Sequence, residues 1–427
     1  MESLPQLAVE KARVCFLNGY GIGLGCRNTP YAPVAGQAAQ ALTTSDRSAT
    51  ILRDGTKVGI LGATLANSAL FHGRGQEDTC GAAHLGAIII PMLTALAEAR
   101  SYPTERLIPA LVAGYETGGL LERAMAASTT PRGFRSTSLY GPLAAAAAAA
   151  RMMSLPSDRI GAAIGNAASF SAGTLQTFVE GTDECRYQVG IAGVIGLLAA
   201  ELAAAGSVTG SANLEGSVGF GKVFSGRALD VATLAASLGN DWSIHRVTFK
   251  PYPVCAFNQT PVIAALRLRD RLKGRSPARI RVRMNPYETG YAGMDSKGPF
   301  NTITGTLMSI PFCIGLTVLR GEPTMQAMVT YDDREVNRLV ENVDLVPDEA
   351  IPVLSCRLEA DMGGEDVVVD QRMTTENFNF PRGTVSELVR RIGREESIPA
   401  EAYDLVEGFV EDLPAADITD ILKAFAS

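Results

Sequence analysis

From residue 5 to about 240, apolar residues recur at three- and four-residue intervals, the period of a helix with one buried face. The spacing predicts helices over 5–25, 57–72, 84–98, 104–127, 141–153, 157–173, 187–206 and 228–237, parted by Gly, Pro or Ser-Thr clusters. The alanine run 144–150 combines high helix propensity with almost no bulk. Met152, Met153 and Leu155 continue it, so it reads as a closely packed buried helix rather than low-complexity sequence. Near 243 the texture changes. Segments 244–254, 278–292, 323–331 and 351–362 alternate or carry β-branched residues, as half-buried strands do, with helical stretches at 258–273, 302–318 and 333–341 between them. Helical spacing resumes at 383–394, 399–409 and 415–426. The expected fold is mainly α with an α+β second domain. A large all-helical domain is built from 1–242 and, returning to it, 383–427, and a smaller α+β lid spans 243–382.

Composition agrees with two domains. Of 427 residues 46% are hydrophobic and 19% charged, ample for burial, and the scarcity of aromatics (6%) beside abundant Ala and Gly predicts close helix contacts and a large subunit contact. A net charge of -7 with no basic stripe excludes a nucleic-acid partner. Seven scattered cysteines, odd in number and without CxxC spacing, fit reduced thiols in a cytoplasm. The first residues carry acids early and lack the form of a signal peptide. The apolar stretches 84–97 and 189–206 are broken by Pro91 and Glu201, so no membrane span is expected.

Candidate chemistry concentrates in EDTCGAAH, residues 77–84. Glu77, Asp78, Thr79 and His84 can move or orient protons, and they sit where a loop enters a buried helix. The same residues also suit a helix cap with a packed histidine ring. Other motifs fail on spacing. GYGIGLG at 19–25 misses the third glycine of a dinucleotide loop and lies in a helical stretch, so close helix packing explains it better. Residues 216–222 fit GxxxxGK, but Val223 stands where a P-loop needs Ser or Thr. No GxSxG is present, and His72, His84 and His245 lie far apart without metal-ligand spacing, so neither a serine hydrolase nor a metal site is expected.

Read in order, the helical block resembles the MmgE/PrpD family of 2-methylcitrate dehydratase, cis-aconitate decarboxylase and iminodisuccinate epimerase. The matching segments include LPQLAVEKARVCFLNGYGIGLG, ATLANSALFHGRGQEDTCGAAHLGAIIIPMLTALAEA, the GYE at 114–116 and RGFRSTSLYGPLAAAAAAARMMSLPSDRIGAAIGNAASFSAG. GIAGVIGLLAAELAAAG, LEGSVGFGKVF and FKPYPVCAFNQTP follow. The resemblance implies a homodimer of helical domain plus lid that binds a small di- or tricarboxylate between them. It also implies proton chemistry beside a carboxylate, with no cofactor or metal.

Carried over residue by residue, the resemblance implies catalytic roles for Asp78, Thr79, His84 and Lys250. An upstream acid that the motif often has reads Gly75. GFH reads GFR, so Arg135 replaces a histidine, and the lysine-x-x-histidine before the GxAA helix reads Cys185-Arg186-Tyr187-Gln188. Arginine is a poor base at neutral pH but clamps carboxylates. Arg135, Arg186, Arg132, Cys255, Tyr287 and Tyr291 are therefore expected to bind substrate, the two tyrosines from a lid-like loop that also holds Lys297. Cys185 and Cys255 also suit inert buried thiols. The resulting expectation is a cofactor-independent lyase, dehydrating or decarboxylating. An isomerase or epimerase, or a specialised-metabolite enzyme, on the same fold is the alternative, and a non-catalytic carboxylate-binding homologue the second.

Overall fold

A computed structural model describes residues 4–426. Residues 1–3 and 427, the outermost positions of the expected segments and of the signal-peptide reading, lie outside the described residues. The chain folds as a large helical domain carrying a smaller α+β domain. One core draws on the helices from Gln6–Leu24 to Glu184–Ala204 and on Arg382–Glu395, Ala400–Asp412 and Ile418–Ala426, so both chain ends build it. Gln6–Leu24 packs against Arg382–Glu395 across its glycines: a methyl at Gly21 would lie 2.5 Å from Val389. The glycine-rich stretch is thus a packing face. The alanine run is buried throughout, inside helix Ser136–Met152, against Glu184–Ala204. Glu184–Ala204 is the one helix among the described residues long and apolar enough to cross a membrane, and half of its apolar window is buried in this packing.

The second core lies between a four-stranded sheet and helices Gln259–Leu272 and Ile310–Arg320. Strand order is Val343–Pro347, Arg279–Met284, Ser355–Asp361, Asp366–Arg372, the first pair parallel and the others antiparallel. Along Arg279–Met284, Ile280, Val282 and Met284 are buried, while Arg281 and Arg283 turn outward to Glu359. Two expected strands did not form. Residues 244–254 run as a 3-10 turn and irregular chain, and 323–331 form the short helix Met325–Met328, whose first turn is capped by Thr324 Oγ1 accepting from Ala327 N at 3.2 Å.

Candidate active site

Helix Ile60–Phe71 ends at His72, and residues 73–85 loop back before Gly86–Arg100 begins. Three ties fix this loop. Thr79 N donates to Thr248 O at 3.0 Å and Thr248 N to Thr79 O at 2.9 Å. Gln76 Nε2 donates to Pro251 O at 2.8 Å. The buried guanidinium of Arg74 pairs with Glu395 at 2.7 Å and with Glu396. The first two ties hold the segment of Lys250 beside Glu77, and the third anchors the loop to the last helices.

Glu77 is the hub. Its Oε1 lies 2.7 Å from His84 Nδ1, 3.0 Å from His72 Nδ1 and 3.1 Å from Lys250 Nζ. Lys250 also donates to the carbonyl of Gly75. Arg135 Nη2 lies 2.8 Å from His72 Nε2. A guanidinium has only donors, so that ring nitrogen carries the lone pair and the proton of His72 sits on Nδ1, facing Glu77. The carboxylate fixes the His84 proton on Nδ1 in the same way, which leaves the Nε2 lone pair of His84 facing the cavity.

Burial, then the charge of Lys250, pushes His84 down to about 4 despite Glu77, so its ring is neutral at pH 7. Burial likewise holds His72 well below its ordinary value. Burial alone would raise Glu77, but His72, Lys250 and His84 together outweigh it and hold the carboxyl well below its ordinary range. With both rings neutral, Lys250 supplies the opposite charge.

These groups line a cavity of about 590 Å³, mouth included, together with Arg135, Arg186, Cys255 and Tyr291. Arg135 is committed to the protein: Nη1 donates to Cys185 O at 2.7 Å and Gln188 Oε1 at 3.0 Å, and the guanidinium rests 5.2 Å from the Phe178 ring centre. Arg186 donates from Nη1 to His72 O at 2.5 Å and lies over Tyr31, but its buried Nε and Nη2 have no acceptor. Burial raises Cys255 and Tyr291, so the cavity faces a thiol rather than a thiolate, and a protonated phenol able to donate. Three cations against one carboxylate leave the site positive, as an anionic ligand requires.

Three expected positions fall elsewhere. Asp78 does not line the cavity: its carboxylate is buried behind the loop, where Oδ1 accepts from Gly86 N at 3.2 Å and Oδ2 from the Tyr115 hydroxyl. It is a helix-entry cap, and the acid in the cavity is its neighbour Glu77. Arg132 is exposed beside a shallow surface depression, because the turn at Gly133 separates it from Arg135. Tyr287 borders that depression and a second cavity, not the first. Lys297 bonds Glu341 O and Asp344 at the surface. Thr79 does line the cavity, though its hydroxyl is 2.8 Å from that of Thr248.

Asp78 gives a test of this correction. Burial raises its carboxyl from 3.8 to about 6, so its folded form favours the proton. That contribution to stability is complete below the unfolded value and is lost as pH rises through 6. Asp78→Asn should keep kcat within about tenfold and gain thermal stability relative to the native chain between pH 5 and 8. Melting curves at both pH values, with a turnover assay, measure both effects.

The sequence also misjudged His72. Separation along the chain argued against His72 and His84 meeting, yet their ring centres are 5.2 Å apart. With Glu77 they put one donor atom each within 4.8 Å, a geometry that could ligate a metal ion. Lys250 on Glu77 and Arg135 on His72 set two cations against that space, which opposes a dication and suits proton chemistry.

The chain is similar to known proteins along much of its length. The chain is 24% identical over 358 residues to a cis-aconitate decarboxylase of Aspergillus terreus, covering 78% of this chain and 72% of that protein. It is 28% identical over 217 residues to a cis-aconitate decarboxylase-like protein of Aspergillus oryzae, covering 48% and 44%. It is 26% identical over 277 residues to the human cis-aconitate decarboxylase, covering 63% and 57%. Such relatives support a lyase-type enzyme on this fold. Residues 1–231 match the MmgE/PrpD N-terminal domain and 252–396 the MmgE/PrpD C-terminal domain, and the chain therefore belongs to the MmgE/PrpD family.

Proposed function

We propose that this chain is a cofactor-independent lyase that decarboxylates a small di- or tricarboxylate. One observation carries the reading: His84 lines a cationic cavity with its Nδ1 held 2.7 Å from Glu77, which leaves Nε2 as the ring nitrogen available for proton transfer. Substrate carboxylates pair with Lys250 and Arg186, with the Arg135 charge adding to the field. The bond between the substrate carbon and its departing carboxylate breaks, and the electron pair stays with the carbon skeleton. With the carboxylates bound, His84 Nε2 takes up a proton from solvent, delivers it to that skeleton as carbon dioxide leaves, and returns to its neutral form. Dehydration needs a second proton carrier for the departing hydroxide, and Arg135 holds its protons too tightly for that role. The names of the relatives, all decarboxylases of cis-aconitate or proteins like them, support the same choice.

Burial and, after it, the charge of Lys250 hold His84 down, and a bound carboxylate would offset the second of these. Ligand binding at pH 7 should therefore take up as much as one proton per site. Calorimetry with a dicarboxylate in buffers of different ionisation enthalpy measures this, alongside product analysis after incubation with cis-aconitate, 2-methylcitrate and citrate. Carbon dioxide release with proton uptake supports the reading. Water loss without carbon dioxide release overturns it.

A second reading, isomerisation, draws on the same neutral ring, which can take a proton and return it elsewhere on the substrate. Deuterium entering recovered substrate without loss of carbon dioxide or water would favour it. The reading also has the chain act as a homodimer, supported by the exposed apolar side chains Ile191, Leu198 and Leu202 along one helix.

A further inference from the structure

A second cavity, of about 760 Å³ with its mouth, adjoins the first. Thr79, Gly81, Ala82, Lys250, Ala256 and Phe257 border both. Phe257 marks the partition: its ring meets Tyr291 of the first cavity edge-on at 5.3 Å and Tyr287 of the second at 5.6 Å.

The two chambers differ in chemistry. Arg135 and Arg186 belong to the first alone, with Glu77 and both histidines. The second has apolar walls from Phe249, Phe378, Val353 and Leu354, and its own acid, Glu122, whose Oε1 accepts from Ala82 N at 2.8 Å. Of the cations that border this chamber, Lys250 is paired with Glu77 at 3.1 Å and Arg246 at the rim with Asp241 at 2.8 Å, while Glu122 disfavours a second anionic group there.

The apolar wall is built rather than incidental. Leu354 holds φ at 61°, a left-handed conformation uncommon for a large side chain. Two bonds from the interior keep it there. Leu354 N donates to Oε1 of the fully buried Glu288 at 3.0 Å, and Thr260 Oγ1 donates to Leu354 O at 2.9 Å. The turn sets Val353, still 44% exposed, and Leu354 along the chamber. An apolar side chain left in water at the wall of a cavity that continues the reacting site suits an apolar part of the ligand.

We propose that the second chamber is a substrate subsite for an uncharged, mainly apolar substituent, so that the substrate is a carboxylate bearing an alkyl or aryl group rather than a bare di- or tricarboxylate. The inference rests on the carboxylate reading of the first chamber. Val353 and Thr375 are specificity residues in it, both exposed and outside the proton-handling machinery.

Calorimetric titration of the full chain with succinate and its methyl, propyl and pentyl derivatives tests this. Affinity should rise about fourfold per methylene over the first few carbons, the gain from burying each one. Val353→Asp places a charge in the chamber and Thr375→Trp fills it. Each should bring pentylsuccinate to within about twofold of succinate while leaving succinate binding unchanged. Succinate binding with no gain from chain length overturns the inference and leaves the carboxylate reading standing. So does a gain that survives both variants. Failure of every member to bind overturns the carboxylate reading itself, and the inference with it.

Discussion

His84→Ala should lower kcat by about a hundred- to ten-thousandfold, the usual worth of a positioned proton-transfer group, with KM nearly unchanged. The expectation follows from the division of labour around Glu77. His72 has one ring nitrogen against Arg135 and the other against Glu77, so it cannot exchange protons with a ligand without breaking both contacts. His84 has the same carboxylate behind it and an open nitrogen in front. The ring is not a main source of charge for binding, since it is neutral at pH 7, and its loss should fall on the chemical step. Steady-state kinetics with and without added imidazole read this directly. A variant that keeps kcat within tenfold would move the proton-handling role to another group.

Glu77→Ala should be the most destabilising single change at the site, costing about 3–5 kcal/mol along with nearly all activity. Lys250 is 3% exposed and would be left charged and buried without its partner, the costly case for a buried ion pair. Both imidazoles would also lose the group that sets their proton positions. Urea unfolding measures the first effect and turnover the second. The double variant Glu77→Gln with Lys250→Met separates them: removing both charges should restore much of the stability and none of the activity. Stability equal to that of Glu77→Ala would mean that the charge pair is not the cause.

The helical domain was legible because its helices are long and their apolar periodicity sustained. Tyr31–Leu42 escaped notice because its Ala, Gly and Pro give the period little contrast. The strand expected at 244–254 has one bridge, Thr79 to Thr248, where a ladder needs a run of partners. The edge strands Val343–Pro347 and Asp366–Arg372 were missed; the first is only five residues long and mostly half-exposed.

The site was legible as a cluster but not in its orientation. Glu77 and Asp78 are neighbours in a loop that leads into an extended bridge, where successive side chains point to opposite sides. Which acid faces the cavity is set by that bridge, and no local pattern reveals its register. His72 was missed for a similar reason. The loop folds back, so chain separation was a poor guide to distance. The cationic cavity was expected from Arg135, Arg186 and Lys250, but the commitment of Arg135 to main-chain and side-chain acceptors depends on helix Glu184–Ala204, far along the sequence.

The tie between Arg74 and Glu395 and Glu396 bears on how the protein is made. More than three hundred residues separate the loop from its anchor. On the ribosome, the helices around the alanine run can collapse long before that anchor has been synthesised. The carboxylate hub would then stand in a nascent chain with its loop unclamped. The loop reaches its clamped geometry only after residues 395 and 396 have been made.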